Sequence, residues 1–287
     1  MARGTTIRVP VSAGMDLAQF AALHVPALEA DEARFILLAG LTSAEKDAPL
    51  GLRLWSLGAP GHCAMQWPEW AILLGDLDRA ECQQLAEATI AVGAPGVLGA
   101  DETAHWFVEH AIARGAEFEA PIPQRIHVLS DPPRYPRALG SARAVRAADA
   151  PLLLEWLVAF HKEAVPHDPP PDPAHVERAV GEGRYLIWTV DDVPVAMAAI
   201  ARRLRRTGAV SSVYTPPRQR GRGYAGSVTA AVADKLFAEG KTTVCLYTDL
   251  RNPMSNRCYA KIGFRPHCDS WHYLRRARTQ SSQFSSP

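Results

Sequence analysis

Residues 213–226, VYTPPRQRGRGYAG, constrain the fold of this chain more than any other segment. They predict a strand that enters a turn rich in glycine and arginine and is followed at once by a helix. The first backbone N–H groups of a helix have no intrahelical partner and lie at the positive end of the helix dipole, so they attract anions. Gly221 and Gly223 allow the main chain to approach a phosphate closely. Three arginines add positive charge at the same place: Arg218, Arg220 and Arg222. The segment therefore predicts a phosphate-binding site.

Two common phosphate-binding motifs do not fit this segment. The G-K-[ST] ending of a P-loop is missing. The spacing is G-x-G-Y-A instead of G-x-G-x-x-G, and no acidic residue follows at the distance that a dinucleotide-binding fold requires. The turn is therefore of another kind.

A second motif follows downstream, where residues 252–264 read NPMSNRCYAKIGF. The turn at 218–223 resembles the R/Q-x-x-G-x-G/A motif of the GNAT acetyltransferases, which binds the pyrophosphate of coenzyme A. The downstream segment resembles the N-x-x-A-x-x-x-Y-x-K-x-G-F segment of the same family, with Ser255 where alanine is usual. The strings VYTPP and LYTDLRNP further resemble bacterial acetyltransferases of the FR47-like branch.

The resemblance and the chain length together predict two domains. A chain of 287 residues exceeds the usual size of one domain. We expect an α/β protein whose C-terminal GNAT fold, a mixed and mostly antiparallel central sheet flanked by helices, spans residues 136–275. Residues 1–135 are expected to form a smaller α/β domain that resembles a degenerate GNAT domain, and residues 276–287 a disordered tail.

The resemblance also implies how coenzyme A would be bound. Backbone N–H groups of residues 219–225 would hold the pyrophosphate, and the strand at 213–215 would pair with the pantetheine arm. That strand would splay from the strand at 243–248, and a main-chain N–H near Val213 or Tyr214 would stabilise the oxyanion. The residues expected to contact the coenzyme are Val213, Tyr214, Thr215, Arg218, Gln219, Arg220, Gly221, Arg222, Gly223, Tyr224, Ala225, Asn252 and Tyr259.

The resemblance places Tyr259 at the position of the general acid, which protonates the leaving thiolate. Packing between helix and sheet is the alternative for Tyr259, and capping of the next helix is the alternative for Asn252. Residues 209–215 hold no carboxylate. Many relatives have a glutamate on this strand that acts as the general base. Glu163 is our candidate for the general base. A solvated helix end, a water relay, or an acceptor that is already deprotonated are the alternatives.

These residues predict an enzyme that transfers an acetyl or other acyl group from acetyl-CoA to a primary amine. The acceptor is not determined by the sequence. The alternative is a non-catalytic module that binds acyl-CoA as a sensor or regulator, since the strand lacks the usual carboxylate.

Composition excludes several other classes. A net charge of +1 gives no reason to expect nucleic acid or an anionic membrane as partner. The N-terminus lacks the apolar core of a signal peptide, and the 5 cysteines show no C-x-x-C pair. The histidines lack metal-ligand spacing, so no metal is expected. We therefore expect a cytoplasmic protein with reduced thiols, whose oligomeric state the sequence leaves open.

Three local patterns predict secondary structure that the structure can test. The apolar run at residues 34–41 predicts a short strand. Asp191 and Asp192 suit a tight hairpin between two strands. The proline cluster at residues 167–173, HDPPPDP, predicts a surface loop that helps to shape the acceptor side.

Overall fold

A computed structural model describes residues 15–44 and 49–276 of the chain. The segment 277–287 of the expected disordered tail lies outside the described residues. The helices of the described part are α1 (Leu17–Leu28), α2 (Ile36–Ala44), α3 (Arg79–Thr89), α4 (Thr103–Ile112), α5 (Ala150–Ala164), α6 (Pro173–Gly181), α7 (Tyr224–Ala238) and α8 (Pro253–Ile262). Its strands are β1 (Arg53–Ser56), β2 (Cys63–Gln66), β3 (Ile72–Leu74), β4 (Gly96–Ala100), β5 (Ile122–Leu129), β6 (Ser141–Ala144), β7 (Tyr185–Val190), β8 (Val193–Arg203), β9 (Thr207–Tyr214), β10 (Thr243–Asp249) and β11 (Arg265–Leu274).

All of these strands belong to one sheet with the order β1-β2-β3-β4-β11-β5-β10-β9-β8-β7-β6. Most neighbours are antiparallel, and two pairs are parallel: β3 with β4, and β9 with β10. Each parallel pair is joined by a crossover helix, α3 in the first half of the chain and α7 in the second. The predicted fold class, a mixed and mostly antiparallel sheet flanked by helices, is confirmed.

The two halves of the chain exchange strands at the centre of the sheet. β5 comes from the first half, yet it pairs with β10 from Val244↔Leu129 to Asp249↔Gln124. β11 comes from the C-terminal end, yet it pairs with β4 from Ser270↔Ala100 to Leu274↔Gly96. The predicted domains therefore share one sheet, and the boundary near residue 135 stays a prediction.

Helices cover both faces of the sheet. On one face α7 and α8 pack over β8 to β10, and α3 and α4 pack over β3, β4 and β11. On the other face α5 and α6 cover β7 to β9. The pair α1 and α2 covers the centre of that face, where Met65, Ile126 and Cys245 from both halves join one apolar cluster. The exchanged strands are thus held by a common core as well as by hydrogen bonds.

The predicted strand at residues 34–41 is wrong, because α2 occupies most of that segment. Its side chains Ile36, Leu38 and Ala39 are buried under the neighbouring helix and sheet. A helix buried on most sides gives a continuous apolar run, which periodicity alone does not distinguish from a strand.

The predicted hairpin at Asp191 and Asp192 is confirmed. Both residues have positive φ, 48° and 61°. They join β7 to β8, which pair from Val190↔Val193 onwards. Positive φ at both central residues is the type I′ geometry that matches the twist of the strands.

No helix within residues 15–44 and 49–276 combines the length and the apolar composition needed to cross a bilayer.

Candidate coenzyme A site

The cleft of the site opens between β9 and β10. These parallel strands pair only from Thr243↔Thr207 to Cys245↔Ala209. Further along, β9 pairs only with β8 and β10 only with β5. The expected splay of the two strands is therefore present, and it leaves backbone groups of β9 without a strand partner on the cleft side.

A bulge in β9 lies beside this opening. Tyr214 pairs with Met197 and Ser211 with Ala199, so two residues of β9 stand opposite one residue of β8. One of the two, Ser212, has a φ of 48° although it is not glycine. A bulge removes main-chain groups from the ladder and redirects them. The main chain around Val213 can thus offer hydrogen bonds to a ligand.

The turn after β9 leads directly into α7. A short 3-10 turn spans Pro217–Gln219, and Gly221 and Gly223 have φ values of 80° and 81°. The N-cap of α7 is Gly223, which has no side chain to cap the helix. Within the described residues, the backbone N–H groups of residues 221–226 donate to no protein acceptor. These N–H groups, together with the dipole of α7, form a cradle that fits a phosphate.

The arginines of the turn have different roles. Arg218 and Arg222 are exposed at the edge of the cradle. Arg220 instead donates from Nε to the carbonyl oxygen of Thr215 at 2.9 Å, and its guanidinium lies 5.8 Å from the centre of the Tyr214 ring. Arg220 thus fixes the turn to the end of β9, while Arg218 and Arg222 can meet an anion.

The segment between β5 and β6 packs against α7 and supports the cradle. The backbone N–H of Ala138 donates to Oγ of Ser227 at 2.8 Å, and that hydroxyl donates to the carbonyl oxygen of Gly223 at 3.1 Å. Arg137 forms an ion pair with Asp234 at 2.5 Å on the same helix. The segment between β5 and β6 therefore packs on α7.

Comparisons with known proteins agree with this geometry. Residues 150–264 match the model of the acetyltransferase (GNAT) family. These residues are a GNAT acetyltransferase domain.

Solved structures match the fold over nearly the whole chain. A GCN5-related N-acetyltransferase from Sphaerobacter thermophilus superposes with a TM-score of 0.65 at 16% identity, over 92% of this chain and 95% of that chain. A Drosophila melanogaster protein gives 0.66 at 14% identity, over 92% and 98%. A tandem GNAT protein from the clavulanic acid biosynthesis pathway gives 0.60 at 13%, over 93% and 98%. A search of the curated proteins finds no match. At these identities the structural likeness shows the fold, which includes the N-terminal half.

In the GNAT domain, Tyr259 lies on α8 beside the crossover helix. Its side chain is partly buried against the core formed by α7 and the sheet, and its ring centre lies 6.2 Å from that of Phe264. Desolvation by the surrounding protein raises the pKa of Tyr259, so the phenol keeps its proton.

Asn252 is the N-cap of α8. Its side-chain oxygen accepts from the backbone N–H of Ser255 at 3.2 Å. The capping alternative is thus observed, and contact of Asn252 with the coenzyme stays a prediction.

Glu163 lies in the last turn of α5 and reaches the phosphate-binding turn. Its Oε2 accepts a hydrogen bond from Arg220 at 2.6 Å. The two side chains are 47% and 48% exposed, so water screens the pair and the carboxylate stays accessible. The GNAT domain therefore places the candidate base, Glu163, next to the cradle, where its carboxylate is paired with Arg220.

The N-terminal half has a corresponding crossover with a different helix start. Asp78 is the N-cap of α3 and accepts from the backbone N–H of Glu81 at 2.8 Å. The Glu81 carboxylate accepts in return from the N–H of Asp78 at 2.9 Å and contacts Nδ1 of His62 at 2.8 Å. The positive end of α3 is thus already occupied by carboxylates of the chain itself.

One cluster of polar side chains is not apparent from the sequence. His167, Asp168 and His272 lie close together although 104 positions separate Asp168 from His272. No spacing rule connects residues that only the fold brings together.

Proposed function

We propose that this protein is an N-acyltransferase that moves an acetyl or related acyl group from acetyl-CoA to a primary amine. The uncapped start of α7, next to the opening between β9 and β10, carries the proposal. The family match of residues 150–264 supports acyl transfer from acetyl-CoA in general. The amine as acceptor class and the roles of individual residues are our inference.

In this proposal the turn after β9 holds the pyrophosphate of the co-substrate. The N–H groups of residues 221–226 are the donors, since they have no protein acceptor among the described residues. Arg218 and Arg222 add charge at the edge of the cradle. The main chain from Val213 to Thr215 lies where the splayed strands leave it open for the pantetheine arm.

Acyl transfer needs a donor for the oxyanion and an acid for the thiolate. The bulge in β9 frees main-chain groups near Val213 and Tyr214, and one N–H there would stabilise the oxyanion. Tyr259 would donate its hydroxyl proton to the leaving thiolate. Its protonated state, which the raised pKa favours, is the form that an acid requires.

The attacking amine must also lose a proton. We propose Glu163 as the base, because it lies on α5 and reaches the turn that would hold the co-substrate. The hydrogen bond from Arg220 orients this carboxylate at the turn. A water molecule between the amine and Glu163 is compatible with this arrangement.

A non-catalytic module that binds acyl-CoA is the second candidate. The pairing of Glu163 with Arg220 favours it, because an arginine-bound carboxylate can be purely structural. Both functions need the cradle, and only the enzyme needs the phenol of Tyr259.

The test of the cradle is calorimetric titration with acetyl-CoA of the wild-type protein and a Gly221→Asp variant. A carboxylate at the positive end of α7 repels the pyrophosphate, so we expect affinity to fall by about tenfold or more. Gly93→Asp is the matched control, because Gly93 also has positive φ and open space around its Cα but lies far from α7 in sequence. Equal affinity in all three proteins would contradict the proposed site.

A further inference from the structure

Two histidines and one aspartate meet on the face of the sheet that α5 and α6 cover. His167 and Asp168 lie in the connection between α5 and α6, and His272 lies on β11. One ligand atom from each residue lies within 4.8 Å of the other two. Nε2 of His167 is 3.7 Å from Oδ1 of Asp168, and the two imidazole centres are 4.9 Å apart at an angle of 72°. Three potential metal ligands thus converge on one small space.

The cluster is shielded from solvent. The side chains of His167 and Asp168 are 15% and 26% exposed, and His272 is 6% exposed. Polar groups removed from water cost free energy unless they have partners. Within residues 15–44 and 49–276, the ring of His272 and the carboxylate of Asp168 form no hydrogen bond with a protein group, and Oδ1 of Asp168 is 3.7 Å from Nε2 of His167. An additional partner would therefore stabilise the cluster.

Other contacts hold the loop and β11 in place. Nε2 of His161, on α5, is 2.6 Å from the carbonyl oxygen of Asp168 and fixes the chain next to the aspartate. On β11, Trp271 and Tyr273 face the core of α3 and α4, which directs His272 to the opposite face. The loop and the strand are thus each anchored independently of the three side chains.

We propose that His167, Asp168 and His272 bind a divalent transition-metal ion of the zinc type. Two imidazoles and a carboxylate are ligands that Zn²⁺ and its neighbours in the series prefer, and three protein ligands leave a position for water. Zinc–ligand bonds of about 2.0–2.2 Å put the ligands of a tetrahedral site about 3.3 Å apart. The cluster therefore needs to contract by no more than about 1.5 Å, which side-chain rotation in the loop can supply.

Such an ion would link the loop between α5 and α6 to β11. β11 is the strand that the C-terminal half pairs with β4 of the first half. The loop between α5 and α6 contains most of the proline cluster at residues 167–173, which is expected to help to shape the acceptor side. The ion would hold this loop against the centre of the sheet. None of its three ligands belongs to the proposed coenzyme site, so metal binding and acyl transfer can be tested separately.

The experiment is titration of the chelator-treated, full-length protein with Co²⁺ alone, followed by visible absorption, and with Zn²⁺ in competition. We expect one Co²⁺ per chain with the d–d bands of a four- or five-coordinate site, displaced by Zn²⁺. Asp168→Asn and His272→Asn should each weaken binding by more than about tenfold. Asp168 lies in a loop, so its variant remains informative if replacement of the buried His272 impairs folding.

His267→Asn is the matched control. His267 also lies on β11 and contacts a carboxylate, that of Asp31 at 2.8 Å, but no third ligand joins it in the described chain. Binding that survives His267→Asn and is lost in Asp168→Asn supports the site. Absence of Co²⁺ spectra, or equal binding by the wild type and Asp168→Asn, would overturn it.

Discussion

The two crossover helices of the sheet show how the same local topology can accept or refuse an anion. α3 joins the parallel strands β3 and β4, and α7 joins the parallel strands β9 and β10. α3 begins with Asp78 and Glu81 in a reciprocal capping box. α7 begins with Gly223 and no capping side chain. A carboxylate of the chain thus satisfies one helix start, and the other is open to a ligand.

The difference indicates that the site depends on the absence of a capping side chain at the helix start as well as on the residues that are present. Strand, helix and crossover occur in both halves, so the fold alone does not bind the co-substrate. Glycine at the N-cap, arginines in the turn and a bulge in β9 occur together only at α7 among the described elements. Three experiments can break or sharpen this comparison.

The largest expected effect concerns Tyr259, on the helix that follows the open crossover. Tyr259→Phe on α8 should lower kcat by about 10²- to 10⁴-fold, because a phenyl ring has no proton to give the thiolate. The dissociation constant for acetyl-CoA should stay within about threefold, since the phosphate cradle is unchanged. Tyr273→Phe is the control, because Tyr273 bonds His105 in the N-terminal half. Release of free coenzyme A thiol at saturating acceptor measures the rates. A full rate for Tyr259→Phe would mean that another group protonates the thiolate, whereas no rate in the wild-type protein would favour the non-catalytic alternative.

A smaller effect is expected at the carboxylate that contacts the open helix start. Glu163→Gln should lower kcat by about tenfold to a hundredfold if the carboxylate takes the proton of the amine. The loss should shrink as pH rises, because more of the acceptor is then already neutral. Glu155→Gln, on the same helix and within electrostatic reach of Tyr214, is the matched control. Unchanged kcat with weaker acetyl-CoA binding would show that Glu163 only positions Arg220.

The smallest effect is expected at the closed helix start. Asp78→Ala removes the cap of α3 and should reduce the free energy of unfolding by about 1 kcal/mol. Chemical denaturation followed by circular dichroism measures this change. Affinity for acetyl-CoA should not change, because α3 is not the anion site in our proposal. A change in that affinity would mean that the two crossovers are coupled or that α3 takes part in binding.

Local patterns predicted much of the candidate site. The turn at 218–223, the helix that follows and the segment at 252–264 were recognisable because each depends on residues near in sequence. The position of Glu163 on α5 was predicted, but its partner was not. Arg220 is 57 positions away, and only the packed loop shows that the expected base and an expected coenzyme contact bind each other.

By itself, the sequence determined the features that short-range sterics and hydrogen bonds control. These include the type I′ hairpin at Asp191 and Asp192, the glycine-rich entry to α7 and the capping of α8 by Asn252. Each conformation is favoured by the residues that adopt it, so the pattern is readable along the chain.

Only the tertiary structure decided which distant segments meet. The exchange of β5 and β11, the helix at α2 in place of a strand, and the cluster of His167, Asp168 and His272 all depend on long-range pairing. The register of a strand and the state of a short apolar run are selected by the surfaces that bury them. Those surfaces come from segments more than a hundred positions away, as for β5 against β10. The physical reason is that burial is a property of the assembled core, and no single segment carries it.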